Sequence, residues 1–292
     1  TSSVANGTSR AASFASYCGS EWWCAVRDED FEQLHHLEDT YWWFVGMRDV
    51  QAALFDPVVE SARPFLRPAR ERVVVDLGCG TGGNLTWLRR YGADATVGGL
   101  DVVEHALRFC RTRGEHKVVL ASATDLPYPD ESCDIACSFD VLVQIPGDGG
   151  DERALAEMYR VLRPGGVAFV RGAAYEWMRS GHDEALHTQR RYSLHQLSER
   201  SRRAGFEVVR ATYANTVLFP VAAVRRLVLM RVGVASAGSD VKPMPRGLRW
   251  INRPFTWMLQ FEALLLKRRW ARLPFGLSVI VVLRKPPTAD QQ

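Results

Sequence analysis

Apolar and polar positions follow two different periods in the central part of the chain. Runs such as "RVVVDL", which begins at Arg72, have the continuous apolar character of buried strands. Between these runs, apolar residues recur at helical spacing, and Ala106, Leu107 and Cys110 form one stripe of "VEHALRFCRTRG". Alternation of this kind predicts right-handed crossovers and a mostly parallel, doubly wound sheet.

Seven strands are predicted by this alternation. In chain order they are "RVVVDL", "ATVGGLD", "KVVLAS", "CDIACSF", "VAFVRGAA", "EVVRATYA" and "GLSVIVVLRK". The helix "DERALAEMYRVLRPGG" precedes the fifth strand, and we expect it to bury Leu155, Met158 and Leu162 before Gly165 ends it. Ser193 with Gln196 predicts a capping box that opens the helix "SLHQLSERSRRAGF".

Two further helical segments are predicted outside this core. The stretch before Pro64 has helical periodicity and carries the aromatic cluster "YWWF" at 41–44. About sixty residues separate the sixth strand from the seventh, which is far more than an ordinary connection, so we expect a helical insert there. The expected organisation is a flexible tail (1–28), an N-terminal helical lid (29–70), a core (71–214 and 276–286) and a basic, apolar helical insert (215–275).

Charge distribution gives the insert a special role. The formal net charge is +4, yet residues 215–275 carry eleven basic and two acidic side chains, so this segment alone has a charge of +9. Such a local basic region argues against nucleic acid as a partner. The apolar runs of the insert could cover a hydrophobic acceptor while its charges meet phosphate or an anionic membrane surface. An oligomerisation face, as in a homo-oligomer, or an extra packing layer is the alternative.

The remaining composition predicts a cytoplasmic protein, with peripheral contact at the inner membrane face as a further expectation. No uninterrupted apolar run reaches the roughly 18 residues needed to span a bilayer, and the Ser- and Ala-rich start has no apolar h-region. The six cysteines show no paired framework. Cys133 and Cys137 are spaced to share one buried strand face, so we interpret them as core residues and expect no metal site.

The stretch "RVVVDLGCGTGGN" places four glycines directly after the first predicted strand. Glycine permits backbone angles that other residues avoid, so a ligand is expected to approach the main chain closely there. The helix that follows would present free N–H groups to that ligand, and parallel sheets bind ligands beyond the carboxyl ends of their strands. Asp101 ends the second strand nineteen residues after Gly82, where a carboxylate can accept both hydroxyls of a ribose. An adenosine-containing ligand is predicted.

The series Asp76-x-Gly78-x-Gly80-x-Gly82, followed by Asp101, resembles the nucleotide site of the class I S-adenosylmethionine-dependent methyltransferases. A dinucleotide-binding dehydrogenase is the alternative, because its G-x-G-x-x-G fingerprint is also satisfied. The acidic residue before the glycines, "LPYPDESCD" and "LRPGG" match the methyltransferase family in order and spacing and favour it. The resemblance implies S-adenosylmethionine as cofactor. It also implies a Rossmann-like seven-stranded sheet, parallel with one antiparallel strand, with an N-terminal helical lid and a helical insert before the last strand.

The resemblance further implies a set of cofactor-binding residues. They are Tyr41, Trp42, Arg48, Asp76, Gly78, Cys79, Gly80, Gly82, Asn84, Asp101, Val102, Ser122, Ala123, Thr124, Ser138, Phe139 and Asp140. Two departures from the family pattern stand out. Ser122 takes the place of an Asp that usually holds the adenine amine, and "DVLVQI" replaces the usual "DVLEH". Asp140 is kept and is expected to hold the methionine amino group or a residue that does.

Residues of about 30–285 also resemble a bacterial subgroup with a Trp-Trp helix before the core and an "HxxRRY" stretch after the fifth strand. As its members occur in glycan-lipid and secondary-metabolite pathways, the resemblance implies a hydrophobic small-molecule acceptor. We hypothesise that the helix at Tyr41–Phe44 covers the cofactor, because aromatic faces attract a sulfonium. The alternative, that the rings only anchor the helix, carries equal weight for Trp43 and Phe44 and less for Tyr41 and Trp42.

The same stretch supplies the catalytic candidates. His187 is the first choice for a base and His182 the second, because histidine titrates near neutrality. A structural histidine is an equally weighted alternative. Tyr192 and the two arginines before it could clamp an anionic acceptor, although a solvated basic face explains at least one of the arginines.

Three function classes stay open at this point. A small-molecule methyltransferase leads. The second is a non-methylating, cyclase-like enzyme on the same fold, which the loss of the usual "EH" keeps in view. The third is a membrane-associated binding protein without turnover, which the intact glycine loop and Asp101 disfavour.

Overall fold

The computed structural model describes residues 28–94, 96–185, 187–232 and 250–288. All but the last residue of the predicted tail (1–28) therefore lies outside the described residues. One seven-stranded sheet runs through the molecule in the order β3-β2-β1-β4-β5-β7-β6. The strands are β1 (Val74–Leu77), β2 (Val97–Asp101), β3 (Val118–Leu120), β4 (Cys133–Phe139), β5 (Leu162–Ala173), β6 (Glu207–Ala214) and β7 (Ser278–Arg284).

The pairing confirms the predicted fold class. Strands β1 to β5 pair in parallel, and β7 runs antiparallel to both β5 and β6. β1 and β4 are buried along their whole length, as their continuous apolar runs predict. Strand order reverses between β1 and β4, so ligands are expected beyond the carboxyl ends of these two strands.

Helices cover both faces of the sheet. They are α1 (Asp28–Leu37), α2 (Trp42–Ala62), α3 (Gly83–Leu88), α4 (Glu104–Thr112), α5 (Gly150–Val161), α6 (Gly181–Ala185), α7 (Leu194–Arg203), α8 (Phe219–Val232) and α9 (Asn252–Leu266). The core on one face includes Met47 and Leu54 of α2, and the core on the other includes Met158 of α5 and Leu197 of α7. Much of α2 is therefore a layer of the core and does not only cover the site from outside.

The N-terminal helical segment is divided in two. The chain turns between Leu37 and Trp42, and the backbone N–H of Trp42 donates to Asn252 Oδ1 at 2.8 Å. Because a side chain of the insert satisfies this N–H, α2 can begin as a separate helix. The predicted capping box at Ser193 and Gln196 is confirmed at the start of α7.

Gly165 does not end α5, so that prediction is wrong. The helix stops at Val161, and Gly165 lies inside β5 with φ of +80°. A Cβ at this position would lie 2.3 Å from Cβ of Phe65, so a close approach of the N-terminal segment explains the glycine. Leu155, Met158 and Leu162 are buried as predicted, although Leu162 belongs to the strand.

Cys133 and Cys137 are buried core residues, but they do not share a face. Cys133 packs in the core on the side of α5, and Cys137 packs on the side of α2. The pairing of β4 with β5 shifts register between Cys133 and Ile135, which breaks the two-residue alternation of the strand.

The insert is helical, as predicted, in its described parts. α9 packs along α2, where a Cβ on Gly46 would lie only 2.6 Å from Cβ of Leu259. Glu262 is buried and accepts the backbone N–H groups of Asn215 and Thr216 at 2.6 and 2.9 Å. These contacts tie α9 to the end of β6. Within the described ranges, every helix is too short or too polar to cross a bilayer.

Candidate active site

The glycine loop lies between the carboxyl end of β1 and the start of α3. Gly78, Gly80 and Gly82 have φ of +71°, +54° and +89°, which L side chains rarely adopt. A Cβ on Gly78 would meet Val141, and one on Gly82 would meet Cys110. A Cβ on Gly80 would meet nothing within 4 Å. Gly80 is thus the point of the loop where the main chain is open to a ligand.

The carboxylate of Asp101 is hydrogen-bonded to the loop at Gly80. Its Oδ2 accepts the N–H of Gly80 and its Oδ1 accepts the N–H of Val103, both at 2.9 Å. Burial raises the pKa of Asp101, and the backbone N–H groups oppose that rise. The carboxylate therefore has a fixed orientation at the end of β2, with one oxygen directed to the loop and the other to the start of α4.

Two side chains at the strand ends are buried without a hydrogen-bond partner. Both carboxylate oxygens of Asp76 and the hydroxyl of Ser138 are in this state. Burial, with the nearby charge of Asp101, raises the pKa of Asp76 well above its usual range, whereas Arg171 lowers it. Unpaired buried polar groups cost free energy unless a ligand uses them. The unpaired groups of Asp76 and Ser138, at the ends of β1 and β4 where the strand order reverses, therefore fit a polar cofactor.

Glu38 closes the start of α3. Its Oε2 accepts the hydroxyl of Thr81 at 2.5 Å, the N–H of Gly83 at 3.1 Å and Nη2 of Arg113 at 3.1 Å. Burial raises the pKa of Glu38, and the Thr81 hydrogen bond and Arg113 oppose this. The expectation of free N–H groups at this helix start is therefore wrong for Gly83. A dinucleotide pyrophosphate bound there would meet a buried carboxylate.

Arg171, on β5, forms an ion pair beside the loop. Its Nε and Nη2 donate to Oδ2 of Asp140 at 2.9 and 2.6 Å, and its guanidinium lies 4.8 Å from the ring centre of Trp43. Asp140 has φ of +61°, so a strained residue carries this carboxylate. Arg48 approaches from α2 and donates to the carbonyl of Gly83 at 3.1 Å. Burial lowers the pKa of Arg48.

The aromatic cluster divides its contacts between the site and the insert. Trp42 packs on Phe255 of α9, with ring centres 5.2 Å apart, and Tyr41 lies 5.7 Å from Trp42. Trp43 covers Arg171, and Phe44 stands edge-on to Trp43 at 4.9 Å. Trp42 therefore contacts the insert, and Trp43 is the ring nearest to the charged groups of the site. The role of Tyr41 and Trp42 as a cofactor cover stays a prediction.

The other predicted cofactor residues fall into two groups. Side chains of Cys79, Ala123 and Phe139 are packed in the core, and their contact with a cofactor stays a prediction. Asn84, Val102, Ser122 and Thr124 are partly exposed. Ser122 Oγ accepts the N–H of Thr124 at 3.2 Å and lies 2.8 Å from its hydroxyl, so this serine already has a local partner. Its contact with adenine stays a prediction.

Tyr192 is buried in this structure, and its catalytic role stays a prediction that burial does not favour. Only 2% of it is exposed, and its hydroxyl donates to Asp151 Oδ2 at 2.6 Å. Burial and Asp151 raise its pKa. Of the predicted arginine clamp, Arg191 pairs with buried Asp183 at 2.7 Å and Arg190 pairs with Asp151 at 2.8 Å, so both arginines already have a carboxylate partner, and the clamp stays a prediction. These residues stabilise the segment after β5.

The structure assigns no role to the two histidine candidates. The side chain of His182 lies outside the described residues. His187 is partly exposed, with φ of +51°. Its segment joins the sheet edge, because the N–H groups of Gln189 and Arg190 donate to the carbonyl of Val143, after β4. The assignment of His187 as a base stays a prediction.

Comparisons with known proteins show which families and structures the chain is similar to. Residues 75–170 match the family described as a methyltransferase domain. The chain is 34% identical over 155 residues to a fatty-acid O-methyltransferase of Mycolicibacterium smegmatis, covering 49% of this chain and 50% of that protein. It is 33% identical over 125 residues to methyltransferase GfsG of Streptomyces halstedii, covering 38% and 44%. The chain thus matches half or less of the length of these two relatives.

The fold is also similar to a solved structure. A chain in the complex between the Haloferax volcanii Trm112 methyltransferase activator and a methyltransferase aligns with a TM-score of 0.51 at 20% identity, over 92% of this chain and 96% of that chain. Residues 75–170 thus match a methyltransferase domain, and the Rossmann-like fold and the loop geometry agree with S-adenosylmethionine as the cofactor. Glu38 and Arg171 were missed by sequence reasoning, because neither lies in the glycine motif.

Proposed function

We propose that this protein transfers a methyl group from S-adenosylmethionine to a hydrophobic small molecule. The choice of cofactor is supported above all by Glu38, which accepts the N–H of Gly83 at the start of α3. Of the three glycines of the loop with positive φ, Gly80 is the one with open space beside it. S-adenosylmethionine has no phosphate, so it avoids the repulsion that a dinucleotide would meet at this carboxylate. When bound, the cofactor supplies an electrophilic methyl group on a sulfonium.

The polar groups of the site would then bind different parts of the cofactor. Asp101 would accept the ribose hydroxyls, and the open main chain at Gly80 would lie against the nucleoside. Asp76 and Ser138, both buried and unpaired, would gain partners at the strand ends. Arg171 and Arg48 bring positive charge to the α2 side of the loop, where we assign them the methionine carboxylate, with Trp43 holding Arg171 in place.

The acceptor is proposed to bind an aromatic cluster made of Tyr175, Trp177, Phe219 and Phe275. Phe219 lies 5.4 Å from both Tyr175 and Phe275 and 6.1 Å from Trp177, between ring centres. Trp177 is 48% exposed and Phe275 is 39% exposed. Tyr175 follows β5 closely, so the cluster lies at the same edge of the sheet as the glycine loop. Exposed rings at this edge suit an apolar acceptor.

The nature of one relative supports the same acceptor class. The matched Mycolicibacterium smegmatis protein is named as a fatty-acid O-methyltransferase. A secondary metabolite or a lipid-linked intermediate would satisfy the same apolar surface. If the acceptor carries a proton that must leave, His187 is the proposed base.

Turnover is tested by measuring S-adenosylhomocysteine release from the full chain with long-chain fatty acids and polycyclic phenols as acceptors. We expect acceptor-dependent release, which a non-methylating cyclase would not give. Trp177→Ala should raise the acceptor KM several-fold and leave cofactor affinity unchanged, whereas Leu120→Ala, an exposed side chain on β3, should not change the acceptor KM. Cofactor binding without release for any acceptor of these classes would reject the proposed acceptor class.

A further inference from the structure

One face of α9 is apolar and exposed, although the opposite face anchors the helix. Leu259, Ala263 and Leu266 are buried on the anchored side. Trp257, Phe261 and Leu264 are 64%, 60% and 58% exposed and follow the i, i+4, i+7 spacing of one helix face. Leu265 widens this face, and we call these four residues the α9 apolar face. Large exposed apolar patches mark interaction sites.

Tryptophans border this face at both ends of the helix. Trp250, just before α9, is 68% exposed, and Trp270, just after it, is 75% exposed. Indole rings carry a large apolar surface with one polar N–H, and they are enriched where a protein meets the lipid–water boundary. The position of these rings therefore favours a lipid surface as the partner.

The exposed charges that residues 250–275 contribute around the α9 apolar face have one sign, and one carboxylate of another element lies beside them, since Asp49 of α2 accepts Nε2 of Gln260 at 3.0 Å. Arg253 at its start and Lys267, Arg268 and Arg269 after its end are exposed. Glu262, the acidic residue of α9, is 2% exposed and is used by the N–H groups of Asn215 and Thr216. Within residues 250–275, all of which are described, the exposed charges are all positive. An anionic partner is electrostatically complementary to this surface.

We propose that the α9 apolar face docks on an anionic phospholipid bilayer, with the helix parallel to the membrane plane. The apolar side chains enter the acyl boundary, and the basic residues contact lipid phosphates. With 15 residues, α9 is shorter than the roughly 20 needed to span a bilayer. A second copy of the chain on this face would bring positive charges close to positive charges, which is unfavourable. A nucleic acid would leave the apolar side chains of Leu264 and Leu265 without a partner. The proposal goes beyond the transfer reaction and does not depend on it.

Co-sedimentation of the full chain with extruded vesicles tests the proposal. We expect binding to vesicles that contain phosphatidylglycerol, loss of binding at high salt, and little binding to phosphatidylcholine alone. Trp257→Ser with Phe261→Ser should abolish most of the partition. Lys267→Gln with Arg268→Gln should weaken it about fivefold for each charge removed. Quenching of tryptophan fluorescence by brominated lipid should be strong in the wild type and reduced by Trp257→Ser.

Matched controls carry the same changes elsewhere. Val119→Ser with Leu120→Ser alters two exposed apolar side chains on β3, and Arg111→Gln with Arg203→Gln removes two exposed charges from α4 and α7. Both controls should bind like the wild type, and all variants should keep the wild-type melting temperature within a few degrees. The proposal is overturned if the wild type does not bind anionic vesicles at low salt, or if the α9 variants bind as well as the controls. It is also overturned if the wild type binds RNA but no vesicles, or if α9 variants only convert a dimer into a monomer in sedimentation velocity.

Discussion

Asp76 lowers the stability of the ligand-free protein but is expected to favour ligand binding. Its carboxyl is 1% exposed and has no hydrogen-bond partner, and its pKa is raised well above the usual range by burial. A group of this kind persists at functional sites because the ligand supplies what the protein withholds. The unfolded chain, by contrast, ionises this carboxyl near its ordinary pKa of about 3.9.

Asp76→Asn should therefore stabilise the ligand-free protein at neutral pH by about 1–3 kcal/mol and weaken cofactor binding. Between the ordinary pKa and the raised folded pKa, the folded state holds more protons than the unfolded state. Stability contributed by Asp76 is thus lost as pH rises through this window. Urea unfolding across the window should show a steeper decline for the wild type than for Asp76→Asn. Asp148→Asn, at an exposed site, should keep the wild-type slope, and equal slopes for all three proteins would contradict the argument.

Glu38 and Asp39 are neighbouring carboxylates that offer a matched test of burial. Both pair with Arg113, but the Glu38 side chain is 8% exposed and the Asp39 side chain is 58% exposed. Glu38→Ala leaves the N–H of Gly83, the Thr81 hydroxyl and Arg113 without this partner, so it should cost about 3–5 kcal/mol of unfolding free energy. Asp39→Ala should cost at most about 1 kcal/mol, since exposed ion pairs contribute little. Chemical denaturation measures both, and similar losses would mean that Glu38 does not organise the loop.

At the scale of elements, α2 connects three parts of the molecule. Its C-terminal turns fill the core, Arg48 reaches the glycine loop, and Gly46 lets α9 approach closely. The amino acid at position 46 controls how closely the two helices pack.

Gly46→Ala tests this packing through the sign of its effect. In a solvent-exposed helix this change stabilises by up to about 1 kcal/mol because alanine favours the helix. Here the new Cβ would lie 2.6 Å from Cβ of Leu259, so we expect destabilisation of about 1–3 kcal/mol through overpacking. The unfolding free energy of the full chain decides between the two signs. A stabilised variant would show that α2 and α9 are not closely packed at this point.

At the scale of the whole molecule, the fold and the site together predict which nucleoside ligand stabilises the folded protein. S-adenosylmethionine or S-adenosylhomocysteine at one hundred times its Kd should add about 2.7 kcal/mol to the stability of the folded state. NAD should add none, because its pyrophosphate would meet Glu38 at the start of α3. Thermal unfolding with each ligand at matched concentration measures the difference. Stabilisation by NAD equal to that by S-adenosylmethionine would reject the role assigned to Glu38.

Local sequence patterns predicted the sheet, the carboxyl ends of its strands to within about two residues, and the glycine loop, but not the start of β5 at Leu162. β6 runs over Glu207–Ala214 as predicted, and the capping box at Ser193 is present. These features are local, because they depend on hydrophobic period, on side-chain spacing along one element and on the backbone freedom of glycine. Local patterns also identified the insert as helical, since about sixty residues between two strands exceed any ordinary connection.

Which charged and polar side chains meet became clear from the folded structure alone. Glu38 reaches Thr81 across 43 residues of sequence, Arg171 pairs with Asp140 across 31, and Tyr192 is buried on Asp151. A carboxylate, a guanidinium or a phenol has the same local pattern whether it is paired inside the fold or free at a site. The partner and the burial depend on how distant elements pack, and that is why the motif residues were found from sequence while their neighbours were not.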